Sequence, residues 1–451
     1  MFMEKYDFTI RKSEIEDLVA ANDLNLATKR LMDLTIDFLP ESKHKRETIN
    51  IRSVYNELRE ESRMYGRTDH VDVRTKALRS EILDFVDELT EKRSLEYNSA
   101  EKSSSQRPEV IEQGDQIVDI PNTYRTQFEM EKEKFIKTRH NDAKTDVVVE
   151  ARDITKFFKS GMNNFTLHPI DLQIRSNEII LIIGENGSGK TTLLRILAGI
   201  ISPDHGSLKY PMLEVGVQHK RLVKRQMAYV PQTLQKWECR MGDYLHLTAS
   251  IYGIKGDKNE EEVDFILNRL DLDQYRYSFW DEVSGGYRMR FTLANALLTQ
   301  PRLLVLDEPL ANLDINSQDL FLQDLRHLSS SSTRPLAVII SSQHIYKTEN
   351  IADRIIFLKD GKAVYNGSKS SFGDDRTENV FEFSCDMSKL LIEKALESIA
   401  RDIVKEGDVY IIHTALNVAA STVLNTLTSH NVNVGYFRDI SRSARRVFLD
   451  E

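Results

Sequence analysis

One octapeptide limits the possible folds of this chain more than any other stretch. Gly184-Glu185-Asn186-Gly187-Ser188-Gly189-Lys190-Thr191 fits the spacing G-x-x-x-x-G-K-[ST]. The apolar run Ile179 to Ile183, of strand length, leads into it, and Thr191-Thr192-Leu193-Leu194 opens a helical pattern after it. Strand, glycine-rich turn and helix in that order predict a P-loop. The glycines let backbone N–H groups face phosphate oxygens, and the helix N-terminus adds its dipole. Lys190 is placed to reach the β- and γ-phosphates and Thr191 to ligate Mg²⁺. A glycine-rich turn that binds nothing has no need of these flanks.

A second site signal lies downstream. Leu303-Leu304-Val305-Leu306 is an apolar strand that ends in Asp307 and Glu308. Asp307 suits a place near Mg²⁺, and Glu308 suits a general base that polarises the attacking water. Alone, two carboxylates after a strand read as an ordinary acidic loop; a P-loop upstream changes the weighing.

The rest of the chain sets the organisation. With 451 residues, roughly two to four domains are expected. Hydrophobic residues make up 40% and charged residues 29%, a globular, soluble composition. The net charge of -9 gives no bulk argument for nucleic acid or an anionic membrane surface, so no nucleic-acid partner is expected. Two cysteines far apart, Cys239 and Cys385, build neither a disulfide framework nor a cysteine zinc site and suit a reducing, cytoplasmic compartment. No apolar run approaches membrane-span length, and the first residues lack the apolar core of a signal peptide.

Residues 1–93 predict an N-terminal bundle of four helices. Ser13 and Glu16 fit a capping box ahead of Ile15, Leu18 and Val19. Ala27, Leu31, Leu34 and Phe38 recur at helical spacing after a turn at Asn22-Asp23, and Pro40 stops that helix. A third helix ends near Gly66, and Leu78, Ile82, Phe85 and Leu89 mark a fourth. Residues 94–145 read as a polar, Ser-rich linker with a charged run at 129–140 that suits a short solvated helix. From 146 to 373, short β-branched runs alternate with helical segments, which predicts an α/β domain with a largely parallel sheet. Residues 376–451 alternate again: 380–385, 409–415 and 432–437 read as strands, and 390–403 and 418–427 as helices. The expected fold is therefore multidomain: an α/β P-loop NTPase between an all-α bundle and a small α/β extension.

Between the two site signals stands Val283-Ser284-Gly285-Gly286-Tyr287. P-loop, Ser-Gly-Gly, hydrophobic-Asp-Glu-Pro, Leu-Asp and His, in that order, resemble the ATPase subunit of ABC (ATP-binding cassette) transporters over residues 146–373. The resemblance implies roles by motif. Phe158, with Phe157 as the alternative, stands where the adenine-stacking aromatic stands. Gln232, in Tyr229-Val230-Pro231-Gln232, matches the glutamine that approaches Mg²⁺ and senses the partner. Ser284, Gly285 and Gly286 would contact the γ-phosphate of ATP held by another cassette; the serine also suits a plain helix N-cap. Asp314, after Ala311-Asn312-Leu313, would lie near the dimer seam, and His344 would contact the γ-phosphate. Val283 and Tyr287 depart from the Leu and Gln usual at those positions. With Glu308 in place, the site looks hydrolytically competent.

Only one motif set is present, so the resemblance implies ATP and Mg²⁺ sandwiched between two chains, identical or not. It also implies a separate transmembrane permease, with the cassette peripheral on the inner face of the cytoplasmic membrane. Trp237, Met241, Tyr244 and Leu245 either line a cleft for that permease or form local core. The ending Ser443 to Leu449 resembles the α/β extension of exporter subunits. Residues 1–93 look faintly like the helical adaptor domains of bacterial conflict systems, which pair with like modules. Two function classes follow: the energising subunit of a transporter, or an ATPase switch in a signalling or defence complex recruited through the bundle.

Overall fold

The computed structural model describes residues 2–39, 41–103, 146–160, 163–214, 223–311, 313–331, 334–343, 345–374 and 376–442. Pro40, Asn312, His344, the charged run at 129–140 and the Ser443–Leu449 ending lie outside the described residues.

Four helices open the chain: α1 (Phe2–Ala20), α2 (Leu24–Phe38), α3 (Ser42–Tyr65) and α4 (Asp69–Ser103). Their apolar stripes close one core around Ile15, Leu31, Leu34, Ile82 and Leu89. The turn at Asn22-Asp23 forms as expected: Asn22 takes φ 63°, and the Asp23 side chain accepts the Leu26 N–H. Gly66 ends α3 at φ 76°. Two expectations fail. Ser13 and Glu16 cap nothing, because α1 already begins at Phe2 and they lie in its interior. Upstream residues extend the helix because Phe8 packs edge-on against Phe38, with ring centroids 5.3 Å apart. At the other end, α4 runs on to Ser103, past the point where composition suggested a linker. Glu, Lys, Arg, Leu and Ala between 91 and 103 are good helix formers, so the helix continues without an apolar stripe.

The next part holds two sheets. Strands β1 (Val147–Ser160) and β2 (Asn163–Arg175) form a long antiparallel hairpin. After β3 (Ile179–Ile183) and α5 (Lys190–Leu197), β4 (His205–Lys209) joins β1, giving the order β2-β1-β4. The short α6 (Pro211–Glu214), β5 (Met227–Val230), α7 (Met241–Ile251), α8 (Asp257–Arg269) and α9 (Gly285–Leu298) follow. Then come β6 (Leu303–Leu306), α10 (Ile315–Ser329), β7 (Ala337–Ser341), α11 (Ile345–Ile351), β8 (Arg354–Lys359) and β9 (Lys362–Ser368). The central sheet runs β5-β6-β7-β3-β8-β9, parallel except for β9. Every residue of β3, β6 and β7 is buried, so these strands read as unbroken apolar runs rather than alternating ones. Because β7 lies between β6 and β3, the carboxyl ends of all three open onto one spot, where such sheets place ligands.

The last unit comprises β10 (Asn379–Ser384), α12 (Lys389–Leu396), β11 (Ala400–Glu406), β12 (Val409–Thr414), α13 (Ala420–Ser429) and β13 (Tyr436–Asp439), in a sheet of order β11-β12-β10-β13. The single helix expected over 390–403 is in fact α12 followed by β11. Ile403 goes inside and pairs with Ile412 while Val404 turns outward, an alternation with the period of a strand. The expected strand at 432–437 forms later, at β13; Val432 fills the core from a loop.

Candidate functional site

The phosphate loop lies between β3 and α5. Two of its glycines sit where side chains cannot. Gly189, at φ 102°, starts α5, and a Cβ there would stand 2.6 Å from the Phe165 ring. A Cβ at Gly184 would stand 2.3 Å from the Leu358 carbonyl oxygen. Glu185, Asn186 and Gly187 are exposed at the loop tip, whereas Ser188 and Lys190 are buried. Thr191 and Thr192 are half-buried in the first turn of α5. Lys190 Nζ folds back onto the loop and donates to the Gly184 carbonyl at 2.8 Å and the Glu185 carbonyl at 3.0 Å.

Asp307 and Glu308 leave β6 toward this loop. Asp307 is saturated: its Oδ1 accepts the hydroxyls of Thr191 at 3.2 Å and Ser341 at 2.8 Å, and its Oδ2 accepts Tyr229 OH at 3.1 Å. Burial, followed by the nearby Asp307, pushes the Tyr229 phenol up, so it stays a donor. Glu308 adopts φ 49°, in the left-handed region that non-glycine residues seldom visit. Its N–H donates to Ser341 Oγ at 2.8 Å, and its Oε2 accepts the Gln343 N–H at 3.1 Å. The other oxygen, Oε1, is buried without a hydrogen bond, 3.6 Å from Lys190 Nζ. Ser188 Oγ is likewise buried and unsatisfied. Buried polar atoms are nearly always bonded, so these two oxygens suit contacts with a ligand.

Such a ligand suits the groups present. Among the described residues no three His, Cys, Asp or Glu side chains form a protein-only metal cage. Mg²⁺ is commonly held by one or two carboxylates plus phosphate oxygens, and the touching pair Thr191 and Asp307 matches that pattern.

The remaining motif residues head their own elements. Ser284 is the N-cap of α9, its hydroxyl accepting the Tyr287 N–H at 3.5 Å, and it is exposed beside the buried Gly286. Gly285 is the first residue of α9. Asp314 is the N-cap of α10 and accepts the Ser317 N–H at 3.0 Å; bonding to Ser317 holds its carboxyl below the usual range. A Cβ on Gly286 would come within 3.3 Å of Ser317 Oγ, so the two helix starts lie side by side. Gln232 is exposed after β5. Phe158 pairs across the hairpin with Phe165, the ring packed on Gly189, whereas Phe157 turns to His205 at 5.9 Å. Phe158 is thus the aromatic on the P-loop side.

A family model described as ABC transporter matches residues 167–311. The sulfate/thiosulfate import ATP-binding protein CysA of Pectobacterium atrosepticum is 30% identical over 264 residues, spanning 56% of this chain and 76% of that protein. The chain belongs to the ABC transporter ATP-binding family. Nod factor export ATP-binding protein I of a Rhizobium species is 30% identical over 220 residues, 48% of this chain and 71% of that one. The uncharacterized ABC transporter ATP-binding protein YxlF of Bacillus subtilis is 28% identical over 233 residues, 51% of this chain and 75% of that one. None of the helices of the described residues is long and apolar enough to cross a membrane.

Within the cassette, the alternatives for 237–245 resolve toward core. Trp237, Met241 and Leu245 are buried in the cluster that joins α7 to α9, and Tyr244 stacks on Trp237 at 4.1 Å. The apolar groups that face outward are Leu247 and Ile251, 55% and 64% exposed, one turn apart on the opposite side of α7. Sequence reasoning missed them because α7 is apolar on both sides. It also missed Tyr229, Ser341 and Gln343, the residues that hold the two carboxylates. The available signal was their position: Tyr229 in β5 and Ser341 in β7 flank β6 in the sheet.

The bundle docks on the cassette through buried charges. Arg269, at the end of α8, reaches both oxygens of Asp33 at 2.7 and 3.0 Å and Asp324 at 2.9 Å. Lys29 pairs with Asp271 at 3.0 Å and Asp324 at 3.4 Å, Arg290 meets Asp324 at 3.1 Å, and Arg52 bonds Asp271. Lys45 holds Glu262 at 2.6 Å, and Asp37 accepts from Arg11 and from Ser331 Oγ. Burial opposes ionisation of Asp324, but Lys29, Arg269 and Arg290 outweigh it and hold the carboxyl at about 2. The same kind of balance holds Asp271 well below the usual carboxylate range, with Arg52 the foremost cation.

Proposed function

We propose that this chain binds ATP with Mg²⁺, hydrolyses it in a pair of cassettes, and thereby drives transport through a separate membrane permease. The observation that carries the reading is Glu308 Oε1: a buried carboxylate oxygen with no hydrogen bond, on a residue held at φ 49°, beside the P-loop lysine. A carboxylate held this way suits a base that takes a proton from an attacking water. The N–H groups around Gly187 and Gly189 and the start of α5 would cradle phosphate oxygens. Lys190 would leave the loop carbonyls for the β- and γ-phosphates. Thr191 and Asp307 would hold Mg²⁺, which neutralises charge developing on those phosphates. Gln343 would keep Glu308 aimed, and Gln232 and His344 would report the γ-phosphate to the rest of the cassette.

Ser284, Gly286 and Asp314 belong to the face that a second cassette would meet, since they crown two adjacent helices and are not gathered around this chain's own P-loop. Leu247 and Ile251 are the groups offered to a permease. The exporter reading rested on the Ser443–Leu449 ending, and the relatives include import and export proteins alike, so the proposal is for transport without a stated direction.

Phosphate release by the purified chain tests the hydrolytic step, with Glu308→Gln as the inactive comparison. Size-exclusion chromatography of Glu308→Gln with ATP and Mg²⁺ should yield a dimer that ADP does not. A pull-down of that variant from native membranes should recover a polytopic membrane protein, and Leu247→Asp/Ile251→Asp should lose it while keeping phosphate release. Equal phosphate release by wild type and Glu308→Gln would sink the assignment. Recovery of soluble proteins only, dependent on the bundle, would favour the switch reading instead.

A further inference from the structure

A cavity of about 1120 Å³ lies where the bundle meets the cassette, lined by α2 and α3 on one side and by α8, the 252–258 turn, the 297–302 segment, Ser331 and residues 334–336 on the other. Pockets that hold drug-sized ligands run roughly 300–1,000 Å³, so the space admits an organic molecule.

The charges around it are unevenly matched. Its inner carboxylates are already engaged, Asp33 with Arg269, Asp37 with Arg11 and Ser331, and Glu261 and Glu262 both with Lys45. Asp257, at the mouth, is exposed to water. Four cations of the lining, Arg46, Lys255, Lys258 and Arg334, have no ion-pair partner among the described residues. Arg46, Lys255 and Lys258 stand exposed at the rim. Arg334 is set deeper, and burial pulls its guanidinium down. The carboxylates that act on it, Glu262 and Asp37, are the ones other cations already occupy. The walls between are apolar: Phe265 and Leu336 are buried, and Tyr252 and Ile254 half-buried. A guanidinium grips a phosphate or a carboxylate with two parallel N–H groups.

We propose that this cavity binds an organic phosphate: a small molecule with two or more negative charges on an apolar or aromatic body, the charges at Arg334 and the rim cations and the body against Tyr252 and Phe265. Arg46 belongs to the bundle and Arg334 to the cassette, so such a ligand bridges the two and stabilises their docking by mass action.

The test uses the full chain with 8-anilinonaphthalene-1-sulfonate as a fluorescent probe and inorganic pyrophosphate as competitor. Expected are saturable binding at one site per chain, displacement by pyrophosphate, and a raised unfolding temperature with pyrophosphate. Arg334→Ala should weaken both ligands at least tenfold and Arg334→Lys should restore part of the loss, while Lys190→Ala leaves probe binding unchanged. Should Arg334→Ala fail to fold, Arg46→Glu/Lys258→Glu at the exposed rim should give the same weakening. Absence of saturable binding, affinities within twofold of wild type in these variants, or loss of the site in Lys190→Ala, which would put the probe at the P-loop, overturns the proposal.

Discussion

The docking seam and the nucleotide site both bury charge, and their hydrogen bonding differs. At the seam between bundle and cassette, every buried carboxylate has a cation: Asp324 alone faces Lys29, Arg269 and Arg290. The unsatisfied atoms there are nitrogens, among them Nε of Arg52 and Arg290 and Nδ1 of His327, and both arginines bond through another nitrogen. At the nucleotide site, the unsatisfied atoms are oxygens, Glu308 Oε1 and Ser188 Oγ. A cluster whose carboxylates are all paired fixes one arrangement; a buried carboxylate oxygen left unbonded is costly until a partner reaches it. The two kinds of burial therefore suit different roles, one holding units together and the other contacting a ligand.

Substitutions can break that distinction, and the largest effect should come at the nucleotide site. Glu308→Gln should cut phosphate release by about 10²–10⁴, the usual loss for a missing general base, with unfolding free energy unchanged or raised. A large loss of stability in chemical denaturation would mean Glu308 is structural like Asp324. The converse applies at the seam. Asp324→Ala takes one carboxylate from Lys29 and Arg269 and leaves Arg290 without its hydrogen-bonded one; it should cost about 3–5 kcal/mol, read from urea unfolding, with ATP affinity of the folded fraction retained. Lys190→Ala should weaken ATP binding by roughly 10–100-fold, the worth of about 1.5–3 kcal/mol for a charged hydrogen bond, measured by nucleotide titration.

Acidity should separate the clusters further. Burial, then Arg30 and Arg269, hold His327 at about 3, against 6.5 when exposed. Between those values the unfolded chain takes a proton that the folded chain refuses, so stability falls as pH drops from about 6.5 toward 3. His327→Gln should flatten thermal unfolding midpoints over that window. Asp324, held at about 2, keeps its share of stability down to about pH 4. The smallest effect should be Ser13→Ala. An exposed serine inside α1 is replaced by a better helix former, with a change below about 0.5 kcal/mol; a loss near 1 kcal/mol would restore the capping box.

Legibility from residues alone follows the same division. The P-loop, the carboxylates after β6 and the Ser-Gly-Gly turn are local in sequence, and each stands on the element expected for it. Four helices at the start were readable from their apolar period. What escaped is what non-local contacts decide. Nothing in Asp324 or Arg269 marks them as partners of Asp33 and Lys29, because hundreds of residues separate them. Ala400 to Ile403 looked helical until β12 claimed them as strand. Trp237 and Met241 could not be told from a cleft lining without knowing that α9 packs behind them. Tyr229 and Ser341 acquire a role only because the strand order sets β5 and β7 on either side of β6.

The docking seam also bears on descent. A mutation at Arg269 should harm the chain unless Asp33 or Asp324 changes with it, and the same should hold for Lys29, Arg52 and Asp271. These positions should be inherited as a set, and should drift apart in any lineage that sheds the first hundred residues.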